Sequence, residues 1–155
     1  MKAELFFEHC AISNTNADFI DFWSCSDEFL NSLTLEEKLY YLRKSSLDKK
    51  QVERSCFDNN VTDRYIKCYK TRCLRLSDII DKYFPDKRVD LIFIDAEGRD
   101  DEVIKTIDFK RCTPNAIFYE SHNLGSRNER IEEYLSNKGF NITQLGGDSV
   151  AVNKF

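Results

Sequence analysis

The stretch Val89-Asp90-Leu91-Ile92-Phe93-Ile94-Asp95-Ala96-Glu97-Gly98 decides the fold. Residues 89–94 are a nearly continuous apolar run, broken once by Asp90 and closed by Asp95. That pattern predicts a strand buried on both faces, as in the middle of a parallel sheet. Asp100, Asp101 and Glu102 follow at once. Acids favour the positive end of a helix dipole, so a helix is expected there, with Val103, Ile104 and Ile107 facing inward. Further on, residues 114–119 read as a second buried strand. Residues 127–138 read as a helix with Ile131, Tyr134 and Leu135 turned in and Gly139 as its stop. Residues 140–145 and 149–153 read as two strands joined by the turn Gly146-Gly147-Asp148. Strand, helix, strand, helix and hairpin in that order predict an α/β sheet, mostly parallel, with an antiparallel C-terminal edge.

Upstream the signals are more local. Residues 65–74 alternate in the strand manner, with Tyr65, Lys67 and Tyr69 on one side and Ile66 and Cys68 on the other. Ser77 or Asp78 is expected to cap a short helix running to Phe84, stopped by Pro85. Thr34-Leu35-Glu36-Glu37 matches a capping box, and Leu35, Leu39, Tyr40 and Leu42 then predict an inward helix face. Residues 44–54 are charged and read as a solvated loop or helix face. Phe19, Phe22 and Trp23, in a cluster with Phe29, read as core aromatics, and so do Phe93 and Phe118. Residues 4–13 read as a short strand and its exit.

Composition narrows the function classes. With 155 residues the expectation is one domain spanning 1–155. Lys and Arg number 23 and Asp and Glu 27, a net charge of −4 with mixed signs. Such a chain has no broad electrostatic reason to bind nucleic acid or an anionic membrane. No apolar run is long enough to cross a bilayer and no secretory segment follows Met1, so a cytoplasmic protein is expected. The six cysteines form no CxxC pair and only two histidines occur, which argues against structural zinc and for reduced, mostly buried thiols. Asn60-Val61-Thr62 and Asn141-Ile142-Thr143 match the glycosylation sequon, read here as chance matches. The five glycines include no GxGxxG and no GxxxxGK[ST], so the usual cradles for nucleotide phosphates are missing.

Ligands in open α/β sheets sit beyond the carboxyl ends of the strands. Two polar clusters fall there: Asp95 with Glu97, and Glu120 with His122. If each pair stays extended, its members point the same way. If the strands are neighbours, four side chains converge on one crevice. Asp95, Glu120 and His122 would then suit Mg²⁺ or another divalent metal. The same groups suit general-base work on a hydroxyl. The plainer readings are that Asp95 or Glu97 accepts backbone N–H bonds at the helix start, that Glu120 forms an ordinary ion pair, that His122 is a surface loop residue, and that Arg99 and Arg127 are solvated.

The segment 89–98 resembles the FkbM family of S-adenosylmethionine-dependent methyltransferases, which shows a hydrophobic strand ending in Ile-Asp-x-Glu-Gly. The likeness continues through the acidic helix start at Asp100, through Thr113-Pro114-Asn115-Ala116-Ile117-Phe118-Tyr119-Glu120, through residues 131–140, and through the closing Gly147-Asp148-Ser149-Val150-Ala151. Upstream, Leu74-Arg75-Leu76-Ser77-Asp78-Ile79-Ile80 and Cys10-Ala11-Ile12-Ser13 are also similar. Residues 14–63 are unmatched. The resemblance implies a partial Rossmann-like class I methyltransferase sheet. It implies methyl transfer from S-adenosylmethionine to an oxygen, such as a sugar or small natural-product hydroxyl. Asp95 would be the base or a metal ligand, assisted by Glu97, Glu120 and His122, and Ala11, Ile12 and Ser13 would approach the cofactor. Two departures stand out. Phe93 occupies a position where the family commonly has Lys. The family's first two strands, with the Gly-rich cofactor loop and the ribose-binding acid, find no counterpart. A homodimer or a missing N-terminal partner segment is therefore expected to complete the sheet. The alternatives are a truncated non-catalytic α/β module acting through protein association, and a metal-dependent hydrolase using the same carboxylates.

Overall fold

The computed structural model describes residues 4–15, 17–57, 63–84, 86 and 88–154. Its strands are β1 (Ala11–Ile12), β2 (Phe19–Cys25), β3 (Ile66–Leu74), β4 (Leu91–Ile94), β5 (Ala116–Glu120), β6 (Phe140–Leu145) and β7 (Asp148–Asn153). Its helices are α1 (Asp27–Leu30), α2 (Leu35–Leu42), α3 (Lys49–Phe57), α4 (Leu76–Tyr83), α5 (Asp100–Ile104) and α6 (Arg127–Asn137). The chain divides into two compact units: Met1–Asn16 with Leu74–Phe155, and Ala17–Cys73. No helix among the described residues is long and apolar enough to cross a membrane.

The first unit carries a four-stranded sheet in the order β4-β5-β7-β6. Only β4 and β5 are parallel; β5–β7 and β6–β7 are antiparallel. The sheet is thus less parallel than the sequence predicts, because a hairpin supplies half of its strands. The hairpin turn is also one residue tighter, with β7 starting at Asp148 and Gly146 in the left-handed region at φ 67°.

One face of this sheet is a true core. Ile92 and Ile94 stand in register with Ile117 and Tyr119, and Ile117 with Ala151. These side chains pack with Ile80 of α4, Ile104 of α5, and Ile131 and Leu135 of α6. Burying each such aliphatic side chain contributes about 1.5–3 kcal/mol. The helical periodicity of 131–135 was legible because the spacing of four puts both residues on one face. The other face is bare. Leu91 is 57% exposed and Phe93 66%, with Phe93 stacked on Phe118 at 4.7 Å between ring centres. The apolar run at 89–94 predicts burial on both faces, yet β4 is an edge strand whose residues alternate exposed and buried. Among the described residues no strand pairs with its outer edge.

Residues 4–9 form no strand. Phe6 stacks on Tyr83, and the Glu8 carboxylate accepts the Tyr83 hydroxyl at 2.7 Å and pairs with Lys82. Helix α4 begins at Leu76 instead of after Ser77, and Asp78 closes its start by accepting the Arg75 N–H at 3.0 Å. The Pro85 stop lies outside the described residues, as does the Asn60 sequon. Asn141 is an exposed residue of β6.

The second unit pairs β2 and β3 antiparallel, with Trp23 opposite Cys68. Its small core joins Cys25, Leu30, Val52, Cys56 and Ile66, flanked by Trp23, Phe29, Tyr41 and Tyr65. Phe29 contacts both Tyr41 and Tyr65 at 5.0 Å between ring centres. Phe19 is exposed and so falls outside this core. The capping box is present as expected: Thr34 Oγ1 accepts the Glu37 N–H and Glu37 returns the bond to the Thr34 N–H at 2.9 Å. The expected inward face of α2 is not. Leu35, Leu39, Tyr40 and Leu42 are all exposed, and Tyr41 makes the core contact instead. The charged stretch 44–54 enters α3, which buries Val52 and Cys56.

Candidate active site

The carboxyl ends of β4 and β5 are adjacent because the two strands are parallel neighbours. The pairing runs from Leu91–Ala116 to Ile94–Tyr119; Asp95 follows the end of β4 directly, and Glu120 closes β5 on the face of Phe118. Asp95 is exposed and Glu120 half-buried. The rim therefore offers two carboxylates above an apolar shelf.

The pairs do not stay extended, so the predicted same-side arrangement within each pair fails. Glu97 has φ 48°, a left-handed conformation unusual for a side-chain-bearing residue, and Gly98 follows at φ 86°. The chain turns sharply there. A Cβ on Gly98 would stand 3.2 Å from the Asn123 carbonyl oxygen, so glycine permits the two exit loops to touch. After Glu120 the chain enters a one-turn 3-10 helix, His122–Leu124. That turn, instead of strand alternation, brings the His122 Nδ1 to 3.6 Å from the Glu120 carboxylate. Asn123 donates to the other Glu120 oxygen at 2.7 Å. The Ser121 and His122 N–H groups both donate to the Gly147 carbonyl, at 3.0 and 2.9 Å. A Cβ on Gly147 would meet the exposed His122 ring at 3.1 Å from Nδ1, so a larger residue there would push the imidazole aside.

Two supporting residues escaped the sequence reading of the site. Asp100 looked like an ordinary helix-start acid, yet it is fully buried. Its Oδ1 accepts the Glu120 N–H at 3.1 Å, tying α5 to the end of β5. Burial raises its pKa to about 6, against the opposing pull of the backbone N–H groups it accepts. Arg127 is not simply solvated. It donates to the Gly98 carbonyl at 2.6 Å and to Asp101 at 2.5 Å, and Asp101 also receives Lys105 at 2.9 Å. Arg127 thereby fixes the 95–98 turn to the start of α6. Arg99 pairs with Glu102 at 2.9 Å. The cap position of α5 is Arg99, with no side-chain bond.

The metal reading is overturned. Among the described residues no group of three or more His, Cys, Asp or Glu side chains could hold a metal ion, so Asp95, Glu120 and His122 do not form a site. The physical reason is local: Glu120 is bonded by Asn123 and faces His122, while the His122 Nδ1 lies 3.3 Å from the Gly147 carbonyl.

The family model for the FkbM methyltransferase domain matches residues 6–142, which is more than half of the sequence. The chain belongs to the FkbM methyltransferase family. A relative named Methyltransferase sdnD, from Sordaria araneosa, is 35% identical over 79 residues. The alignment takes in 45% of this chain and 30% of the relative, so this FkbM chain spans less than a third of that protein. No solved structure matches it.

Family membership implies a methyl donor, and the residues present can be weighed against S-adenosylmethionine. Ala11 and Ile12 are half-buried in β1. Ser13 is buried, its N–H donates to the Leu74 carbonyl at 3.0 Å, and its hydroxyl accepts the Thr15 N–H at 3.4 Å. Its polar groups are thus engaged locally. The turns at Gly98 and Gly147 are filled by Asn123 and His122. Among the described residues of this FkbM chain, Ser13 has its polar groups engaged locally and does not fit the cofactor by itself.

Proposed function

We propose that the chain serves in methyl transfer from S-adenosylmethionine to a hydroxyl oxygen of a sugar or small natural product, and that it supplies the acceptor side of the site. The observation that supports this reading is that Asp95 follows the end of β4 and Glu120 closes its parallel neighbour β5, beside the stacked Phe93–Phe118 pair. An apolar shelf with carboxylates at its rim suits a compact organic alcohol. The acceptor O–H would donate to the Asp95 carboxylate, which takes its proton as the oxygen becomes nucleophilic. Glu120, oriented by Asn123 and by the backbone bond to Asp100, would hold His122 beside it as the next proton carrier. Glu97, in its turn conformation, would shape the rim.

The donor cradle would come from further FkbM polypeptide whose strand pairs with the bare edge of β4. Asp90 and Asp95 bracket that edge, so antiparallel pairing with a second copy would set like charges opposite each other, which disfavours a homodimer there. A separate polypeptide strand escapes this penalty. The same bare edge also favours a second reading, a non-catalytic module that acts only by association.

Calorimetric titration of the chain with S-adenosylmethionine, with solution mass measured alongside, tests the proposal. A monomer is expected to give no heat at millimolar ligand, whereas a chimera carrying the preceding segment of a full-length FkbM relative gives micromolar binding. Binding by the monomer would overturn the division of the site. In the chimera, Asp95→Asn should lower kcat by on the order of 100-fold with binding intact. Unchanged turnover removes Asp95 from the role, and a binding-competent assembly that never methylates a hydroxyl leaves the association reading.

A further inference from the structure

The second unit contains a feature that methyl transfer does not use. Cys25 closes β2 and Cys56 lies in the last turn of α3, separated by 31 residues in sequence, yet their sulfurs are 3.6 Å apart. Both thiols are buried, at 1% and 0% exposure, in the core formed with Leu30, Val52 and Ile66. They share a sulfur–sulfur hydrogen bond in the reduced state. Two thiols in this contact need only a small approach and the loss of two hydrogens to become a cystine.

We propose that Cys25 and Cys56 are a latent disulfide pair, closed by a peroxide and reopened by small thiols, and that they make the 17–73 unit redox-responsive. The steps balance as follows. The Cys56 thiol loses its proton, and its thiolate attacks one peroxide oxygen, forming an S–O bond and breaking O–O. Cys56 becomes a sulfenic acid, and the departing hydroxide takes up that proton as water. The Cys25 thiol then displaces the sulfenic hydroxyl, forming S–S and releasing a second water. Peroxide is reduced and the two thiols are oxidised by two electrons. Cys56 is the natural first nucleophile. Burial pushes both thiols up, Cys25 to about 12, whereas the Cys25 hydrogen bond and the Lys44 charge pull Cys56 back down. The same burial makes the reaction slow and confines it to moments when the core opens. Exposed Cys68 reacts outside this pair.

The product ties the end of β2 to α3 across a 31-residue separation. Closing a loop of that length restricts the unfolded chain and raises the thermal midpoint of the unit.

The test is hydrogen peroxide treatment of the full chain, followed by alkylation under denaturing conditions, peptide mapping and thermal unfolding. A peptide pair joined through Cys25 and Cys56, lighter by two hydrogens and separated by dithiothreitol, is expected, with a raised midpoint. In Cys25→Ser the joined pair disappears, and dimedone captures Cys56 as its sulfenic acid. Finding both residues alkylated after wild-type oxidation, or joined to other cysteines, overturns the proposal. That result depends on no variant's folding.

Discussion

The two faces of the β4-β5-β7-β6 sheet are built from similar residues and have opposite fates. Ile92, Ile94, Ile117 and Tyr119 are buried beneath α4, α5 and α6. Leu91, Phe93 and Val152 are largely exposed on the reverse. Side-chain hydrophobicity alone does not distinguish Ile92 from Phe93. What distinguishes them is which face the following helices return to, and crossovers from β4 to β5 and from β5 to the hairpin all return to one side. The difference teaches that an apolar strand states a capacity for burial, and that its neighbours decide whether the capacity is used. The exposed face carries the stacked Phe93–Phe118 pair, and Asp95 and Glu120 lie at the carboxyl ends of the same two strands.

The sharpest break of this contrast is Ile117→Ala. The side chain is fully buried, so removal is expected to cost about 2–5 kcal/mol through lost transfer energy and a cavity. Denaturant unfolding measures it, and a cost below that range would mean the covered face is loosely packed. Next comes Asp100, which joins the covered side to the rim. Its folded-state pKa of about 6 lies above the ordinary 3.8, so the folded chain holds the proton more tightly. Stability contributed by this group therefore falls as pH rises through that window and is level above it. Asp100→Asn should flatten the slope and stabilise the chain at neutral pH by up to about 3 kcal/mol. Unfolding curves at pH 4, 5, 6 and 7 check the sign, and an unchanged slope would reassign the titration.

Gly98→Ala probes the turn between strand and helix. The left-handed backbone and the close Asn123 carbonyl make a cost of about 1–2 kcal/mol the expected result. Thermal unfolding checks it, and a neutral variant would show that the exit loops are not in tight contact. The smallest effect belongs to Phe93→Ser. Losing the stack on Phe118 should cost on the order of 1 kcal/mol, yet the exposed apolar face should become less adhesive. Light scattering against concentration would show this, and unaltered association would mean the face is not adhesive.

Much of the fold was legible where the causal interaction is short-range. The Thr34–Glu37 capping box joins residues three apart, so residue types at that spacing suffice to announce it. Gly139 as the stop of α6, at φ 95°, belongs to the same kind. The candidate rim was half legible. Asp95, Glu97, Glu120 and His122 were marked because strand ends bear chemistry, but their arrangement followed from the left-handed Glu97 and the 3-10 turn at His122. Neither conformation has a strong local signature. Asp100 and Arg127 were misjudged because their partners, Glu120 and the Gly98 carbonyl, lie 20 and 29 residues away.

The order of residues was enough to set the strand, helix, strand, helix and hairpin succession, the family and the acids at the strand ends, because each rests on spacing or on a contiguous motif. Tertiary structure alone decided that β4 stands at an edge, that the face of α2 expected to turn inward stays exposed, that no metal set forms among the described residues, and that Cys25 meets Cys56. Those outcomes depend on contacts between distant segments, and a contact between two segments is a property of neither segment's sequence.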